Sequence, residues 1–209
     1  MITGEVRLPD NRKTMRKVIL QEFVSLDGLA AGPDGSVDFV PASVAGDQSF
    51  GQRQLDFMQS IDAILLGRVT YGMFSQYWPN VTSGEDREFA ERINAIPKVV
   101  FSSTLQDAPW GSFEPARLVR EDAASEVRKA KQESGRDMVV WGSISLARSL
   151  TRSEGIDEYQ LIICPVVLGT GRSVFGDLQD SLPMSLVSTR SFDRGAVLLA
   201  YERGGGGVA

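Results

Sequence analysis

Apolar residues in this chain gather in short runs separated by longer amphipathic stretches, the pattern of strands alternating with helices. Val18-Ile19-Leu20 through Phe23-Val24 reads as a buried strand, ended by Ser25-Leu26-Asp27-Gly28. A loop rich in Gly, Pro and Asp follows to about Gly46, and loops of that length inside a compact domain tend to carry function. Asp47 is placed to cap a helix in which Leu55, Met58 and Ile61 recur at three-residue spacing. Ala63-Ile64-Leu65-Leu66 is a second buried strand, ended by Gly67, and helices are expected over about 71–77 and 85–94. Lys98–Phe101 forms a third strand that runs into Ser102-Ser103-Thr104. Residues 121–133 read as helix and 138–141 as strand, after which Gly142-Ser143 leads into a helix with Ile144, Ala147 and Leu150 on one face. From Tyr159 onward short strands and turns take over, with Arg172 to Phe175 read as strand and a final hairpin of 184–192 and 196–201 across Asp193-Arg194-Gly195.

Strands crossed by helices and closed by a hairpin predict an α/β fold in three layers, a mixed, mostly parallel sheet flanked by helices with an antiparallel C-terminal edge. Residues 15–203 form the expected domain; 1–14 lack periodicity and 204–209 have linker composition, so both are read as tails. The 209 residues, 42% hydrophobic and 23% charged, suffice for one sizeable core. Twenty-two basic against 27 acidic residues argue against nucleic acid and anionic membranes as partners. No run approaches the ~20 apolar residues of a membrane helix, and the N-terminus lacks the apolar core of a secretory signal, so the cytoplasm is the expected location. The lone cysteine, Cys164, lies in an apolar run and reads as a buried thiol with no disulfide partner. Histidine is absent altogether, which removes Ser-His-Asp and Cys-His nucleophile systems, His-ligated zinc and a His general base. No metal is expected.

In open α/β sheets ligands settle at the carboxyl ends of the strands, where helix N-termini present free amides. Three strand ends suit phosphate: Gly67-Arg68-Val69-Thr70, Ser102-Ser103-Thr104 and Gly142-Ser143-Ile144-Ser145. Glycine admits a phosphate to the backbone, Thr70 adds a hydroxyl, and Arg68 can fork onto phosphate oxygens. Taken singly, each segment is equally an ordinary turn or cap; only the trio is informative. Gly169-Thr170-Gly171 lacks the third glycine of a dinucleotide fingerprint, and there is no P-loop.

These residues, with Ser25-Leu26-Asp27-Gly28, Leu65 to Tyr71, Trp78-Pro79, Trp141-Gly142-Ser143 and Pro165 to Gly171 followed by Phe175, resemble the dihydrofolate-reductase-like superfamily, in its branch containing the C-terminal reductase domain of bifunctional riboflavin-biosynthesis enzymes. The resemblance implies NADPH as cofactor and hydride transfer to a small heterocycle of pyrimidine or pterin type. Gly67, Arg68, Val69 and Thr70 would contact the adenosine phosphates, Ser102 and Ser103 the 2′-phosphate, and the turn of Gly142, Ser143, Ile144, Ser145 and Leu146 the pyrophosphate. Asp27 is the candidate catalytic carboxylate, and Trp78 and Trp141 are candidates for the substrate wall. A homodimer is implied. The chain departs from the riboflavin reductases in having Leu29 where a lysine follows the Ser-Leu-Asp-Gly motif, and Trp141-Gly142-Ser143 where a glutamate precedes a Gly-Gly pair. Asp47 and Asp56 are both candidates for the acidic helix residue of dihydrofolate reductases. Those departures leave open the substrate and a binding module of the same fold without turnover; a deazaflavin in place of NADPH is a variant of the reductase reading.

Overall fold

A computed structural model of the chain describes residues 15–176 and 178–204. The tails expected at 1–14 and 204–209 lie outside these residues except for Gly204, whose N–H donates to the Pro183 carbonyl at 2.9 Å.

In chain order the strands are β1 (Val18–Ser25), β2 (Leu29–Ala31), β3 (Ile61–Gly67), β4 (Lys98–Phe101), β5 (Arg117–Val119), β6 (Asp137–Trp141), β7 (Glu158–Cys164), β8 (Arg172–Ser173), β9 (Met184–Ser191) and β10 (Val197–Arg203). The helices are α1 (Phe39–Val44), α2 (Gln48–Ser60), α3 (Arg68–Tyr77), α4 (Arg87–Ala95), α5 (Ala123–Gln132) and α6 (Ile144–Arg152), with a 3-10 turn at Trp78–Asn80. Eight strands form one sheet in the order β5-β4-β3-β6-β1-β7-β10-β9, while β2 and β8 pair separately. The run from β5 to β7 is parallel; β10 is antiparallel to β7 and to β9. This is the mixed sheet with an antiparallel edge that the sequence predicts.

Side chains alternate across the sheet and divide the core in two. On one face Val18, Leu20 and Val24 of β1 pack with Leu65, Met138 and Val140 against Val127 of α5 and Leu146, Ala147 and Leu150 of α6. On the other, Ile19, Ile64, Leu66, Val100 and Val139 pack against Phe57 and Met58 of α2, Tyr71 of α3 and Ile93 of α4. Phe50, Phe192 and Leu198 continue that layer under the hairpin with Ile162.

Three local expectations change. α2 stops at Ser60, and Ile61, fully buried, opens β3. The face α2 buries is Phe50, Gln54, Phe57 and Met58, the four-then-three spacing of a helix. The long segment after Gly28 contains β2 and α1, and β8 is confined to Arg172–Ser173 because β2 offers only three residues to pair. β5 is a further short edge strand on β4, of whose residues only Val119 is buried, so it carries too little apolar signal to be read beforehand.

Candidate functional site

Because β4, β3, β6 and β1 are adjacent and parallel, their carboxyl ends share one edge of the sheet. The three segments singled out for phosphate follow β3, β4 and β6, so the fold brings them side by side. Gly67 pairs with Phe101, which sets Arg68 beside Ser102. Between β3 and β6 the contact is direct: the Gly67 N–H donates to Ser143 Oγ at 2.8 Å, and the Ser143 N–H donates to Thr70 Oγ1 at 2.9 Å. A Cβ on Gly142 would meet Thr70 at 3.2 Å, and one on Gly67 would meet Ser143 at 3.4 Å. Gly142 (φ 54°) and Ser143 (φ 62°) are both left-handed, a backbone that aims the start of α6 at the strand edge.

The two helix starts at this edge, like those of α1 and α4, carry no side-chain cap, in contrast to α2 and α5. α2 is capped by Asp47, which accepts from the Phe50 N–H, and α5 by Asp122, which accepts from the Ser125 N–H. α3 and α6 have no side-chain cap. Their first-turn amides lack intrahelical partners by geometry and suit an anion. Arg68 and Ser103 are exposed, Val69 is 66% exposed, and Thr70 is buried with its hydroxyl in the turn. Ile144 is half-buried and Ser145 exposed, whereas the Leu146 side chain belongs to the core. Ser102 Oγ closes its own turn by accepting from the Thr104 and Leu105 amides. Arg120, just past β5, braces that turn through Leu105 O at 2.8 Å and Gln106 O at 3.2 Å. It is a second arginine at this end of the sheet that the sequence does not announce, since its neighbourhood depends on β5.

Asp27 lies at the end of β1 and ties two loops together. Its carboxylate accepts from the Ser25 hydroxyl at 2.6 Å, the Leu168 amide at 3.1 Å and the Gly169 amide at 2.7 Å. The Ser25 hydroxyl and then those two amides hold it down to about 2, ionised at any neutral pH. Gly171 passes so close to Ala31 that a Cβ would collide with its carbonyl, and Arg148 of α6 donates to Ser173 O. The loops after β1 and β7 are therefore fastened to each other and to α6. Asp47 is spent on its cap and on the Arg194 amide, and Asp56 accepts from Gln52 on the helix surface.

Trp141 and Trp78 meet in one aromatic cluster. Phe89 lies 4.9 Å from the Trp78 ring and 6.0 Å from that of Trp141, with Phe74 also between them. Trp141 is 6% exposed, and its indole N–H donates to Gln21 Oε1 at 2.9 Å. Gln21 also accepts from Gln54 and donates to Gln160, a buried amide chain under α2. Its ring is part of the core, while Trp78 is half-exposed. Among the described residues no cluster of three or more His, Cys, Asp or Glu could hold a metal, and no helix is long and apolar enough to cross a membrane.

Residues 16–198 match the family described as RibD C-terminal domain. The chain belongs to the RibD C-terminal domain family. The Bacillus subtilis (strain 168) protein YyaP is 32% identical over 196 residues, 93% of this chain and 99% of YyaP. A putative riboflavin biosynthesis protein from Shewanella sp. PV-4 superposes with a TM-score of 0.71 at 21% identity, over 90% of this chain and 99% of that one. Dihydrofolate reductase from Enterococcus faecalis, complexed with NADP(H) and RAB-propyl, superposes with a TM-score of 0.57 at 11% identity, over 90% and 96% of the two chains. The fold of this RibD C-terminal domain is thus dihydrofolate-reductase-like.

Proposed function

We propose that the protein is an NADPH-dependent reductase of a small heterocyclic substrate. One observation carries the reading: the ends of β4, β3 and β6 present two uncapped helix starts, the Gly67 and Gly142 approaches and the exposed Arg68 along one edge. The residues fit the group. Arg68, with Ser102 and Ser103, would hold the 2′-phosphate by charge-assisted hydrogen bonds, and Val69 and Thr70 the adjoining phosphate through the first turn of α3. Gly142 to Leu146 would cradle the pyrophosphate on main-chain amides. When bound, NADPH supplies hydride to a polarised C=N or C=O bond. The protein's part is orientation and exclusion of water. Asp27 positions the loops after β1 and β7 beside the crevice, and Trp78 is the aromatic edge open to a substrate ring.

The competing reading is a binding module without turnover. It is favoured by Asp27, since a carboxyl held near 2 and engaged by Ser25, Leu168 and Gly169 cannot deliver a proton at neutral pH. NADPH oxidation measured against pterins, pyrimidines and flavins separates the two.

Calorimetric titration tests the cofactor assignment. Arg68→Ala should weaken NADPH about tenfold and NADH less than about threefold, because only NADPH carries the 2′-phosphate. Equal weakening moves that role away from Arg68, and no binding of either nucleotide to the wild type rejects the cofactor.

The protein is further proposed to act in the cytoplasm as a homodimer, with β9 as the contact edge.

A further inference from the structure

The central sheet opens at Glu22. β1 lies against β6 from Val18↔Met138 to Gln21↔Trp141 and against β7 from Ile19↔Glu158 to Ser25↔Cys164. One edge of β1 is therefore paired to its end, while the other is released after Gln21. Glu22 is the first residue beyond the parting, opposite Leu161 on β7 and unpaired on the β6 side, where the chain turns away at Gly142. No side chain at Gly142 fills the gap. Crevices of this kind, at the carboxyl ends of parting strands, are where open α/β sheets take ligands.

The Glu22 side chain is 6% exposed, and its Oε2 has no hydrogen-bond partner. Around it on that face are Leu20 and Val24 of β1 and Leu161 of β7, all apolar. An unmatched oxygen at such depth is costly unless something arrives to meet it. Burial, opposed only by the Phe23 N–H, pushes the acid up to about 8. At neutral pH it is a carboxylic acid with one O–H to donate and one C=O to accept, the complement of an amide. No charged group contributes to this shift. On the elements around it the titratable groups that share its face of the sheet or stand above it are Tyr159 of β7, which burial keeps uncharged, Arg148 and Arg152 of α6, and Arg172 of β8, whereas Glu158 and Cys164 of β7 and Asp137 of β6 alternate to the opposite face; Arg148 is turned to Ser173 O and Arg172 to Pro33 O.

We propose that Glu22 is a ligand-contacting residue whose side chain pairs with the ring carboxamide at the nicotinamide end of the cofactor, in the crevice between β1 and β6. The proposal rests on the cofactor reading above, and its test separates the two. The full chain is titrated with NADPH and with adenosine 2′,5′-bisphosphate, which has the 2′-phosphate end but no nicotinamide.

Glu22→Leu should weaken NADPH about tenfold or more while leaving the bisphosphate within about threefold. Glu22→Gln, an amide that can pair with an amide at every pH, should bind NADPH within about threefold of wild type. Wild-type affinity for NADPH should fall between pH 7 and 9 as the acid ionises, and that of Glu22→Gln should not; this arm decides if Glu22→Leu does not fold. Equal NADPH affinity in wild type and Glu22→Leu, equal weakening of both ligands, or parallel pH profiles in wild type and Glu22→Gln would each overturn the assignment of Glu22. Failure of the wild type to bind either ligand would overturn the cofactor reading and this one with it.

Discussion

Three side chains show how position outweighs residue type. Asp27 is exposed yet strongly acidic, because a hydroxyl and two amides accept no role but that of donors to its charge. Glu22, five residues earlier, is buried without a charged partner and moves the opposite way. Lys98 of β4 is buried too, with Nζ on Asn94 O at 2.7 Å and over the Trp110 ring, and burial brings it down to about 8. The two buried groups push the dependence of stability on pH in opposite directions. Glu22 has a raised folded value, so its contribution is full below about 4.5 and is lost as pH rises through about 8. Lys98 has a lowered folded value, so the unfolded chain holds the extra proton between about 8 and 10.5 and the contribution of Lys98 to stability rises across that window. Urea denaturation from pH 5 to 10.5 should show the difference. Relative to wild type, Glu22→Gln should gain on the order of 4 kcal/mol between pH 5 and 9, and Lys98→Met should lose the upward contribution of Lys98 above pH 8. The sequence holds a hint of Glu22, since Gln21-Glu22 interrupts an otherwise apolar strand, but which face each occupies depends on what packs above it.

Among the elements, the turn from β6 into α6 was the most legible. Gly-Ser after a buried strand and before an amphipathic face announces a tight strand-to-helix passage, and the structure builds one with two left-handed residues in succession. Gly142→Ala tests it, because an added Cβ meets Thr70 at 3.2 Å and the residue must keep φ near 54°. The variant should lose about 1 to 2 kcal/mol in urea denaturation and weaken NADPH in calorimetry, by tilting the start of α6. The buried face of α2 was harder to read: Ile61 continues an apparent helical spacing, yet its carbonyl neighbourhood is that of β3, where Arg136 reaches it. Periodicity cannot distinguish the last turn of a helix from the first residue of the strand after it. β5 and β2, three residues each, are made by the partners they find rather than by their own pattern.

For the molecule as a whole, the unfinished feature is β9. It is eight residues long, is paired among the described residues only with β10, and carries Leu186 and Val187 at 56% and 53% exposure. A long free edge with exposed apolar side chains invites pairing with another strand, and a two-fold axis would let β9 of two copies meet antiparallel. Light scattering on a sizing column should give twice the mass of one chain, and Leu186→Arg with Val187→Arg should give the single mass with the fold intact. Local pattern and composition determined the alternation of strands and helices, the antiparallel finish, the exclusion of histidine chemistry, and the three strand-end segments suited to phosphate. Only the tertiary structure decided that those segments stand next to one another in the order β4, β3, β6, that Asp27 is occupied by Leu168 and Gly169, that Trp141 is core, and that the sheet parts at Glu22. The reason is physical: backbone propensity and hydrophobic period are set by neighbours along the chain, whereas strand order, facing and the ionisation of a buried acid are set by residues remote in sequence that only the crossovers bring near, as Ser143 is to Thr70 and Leu168 to Asp27.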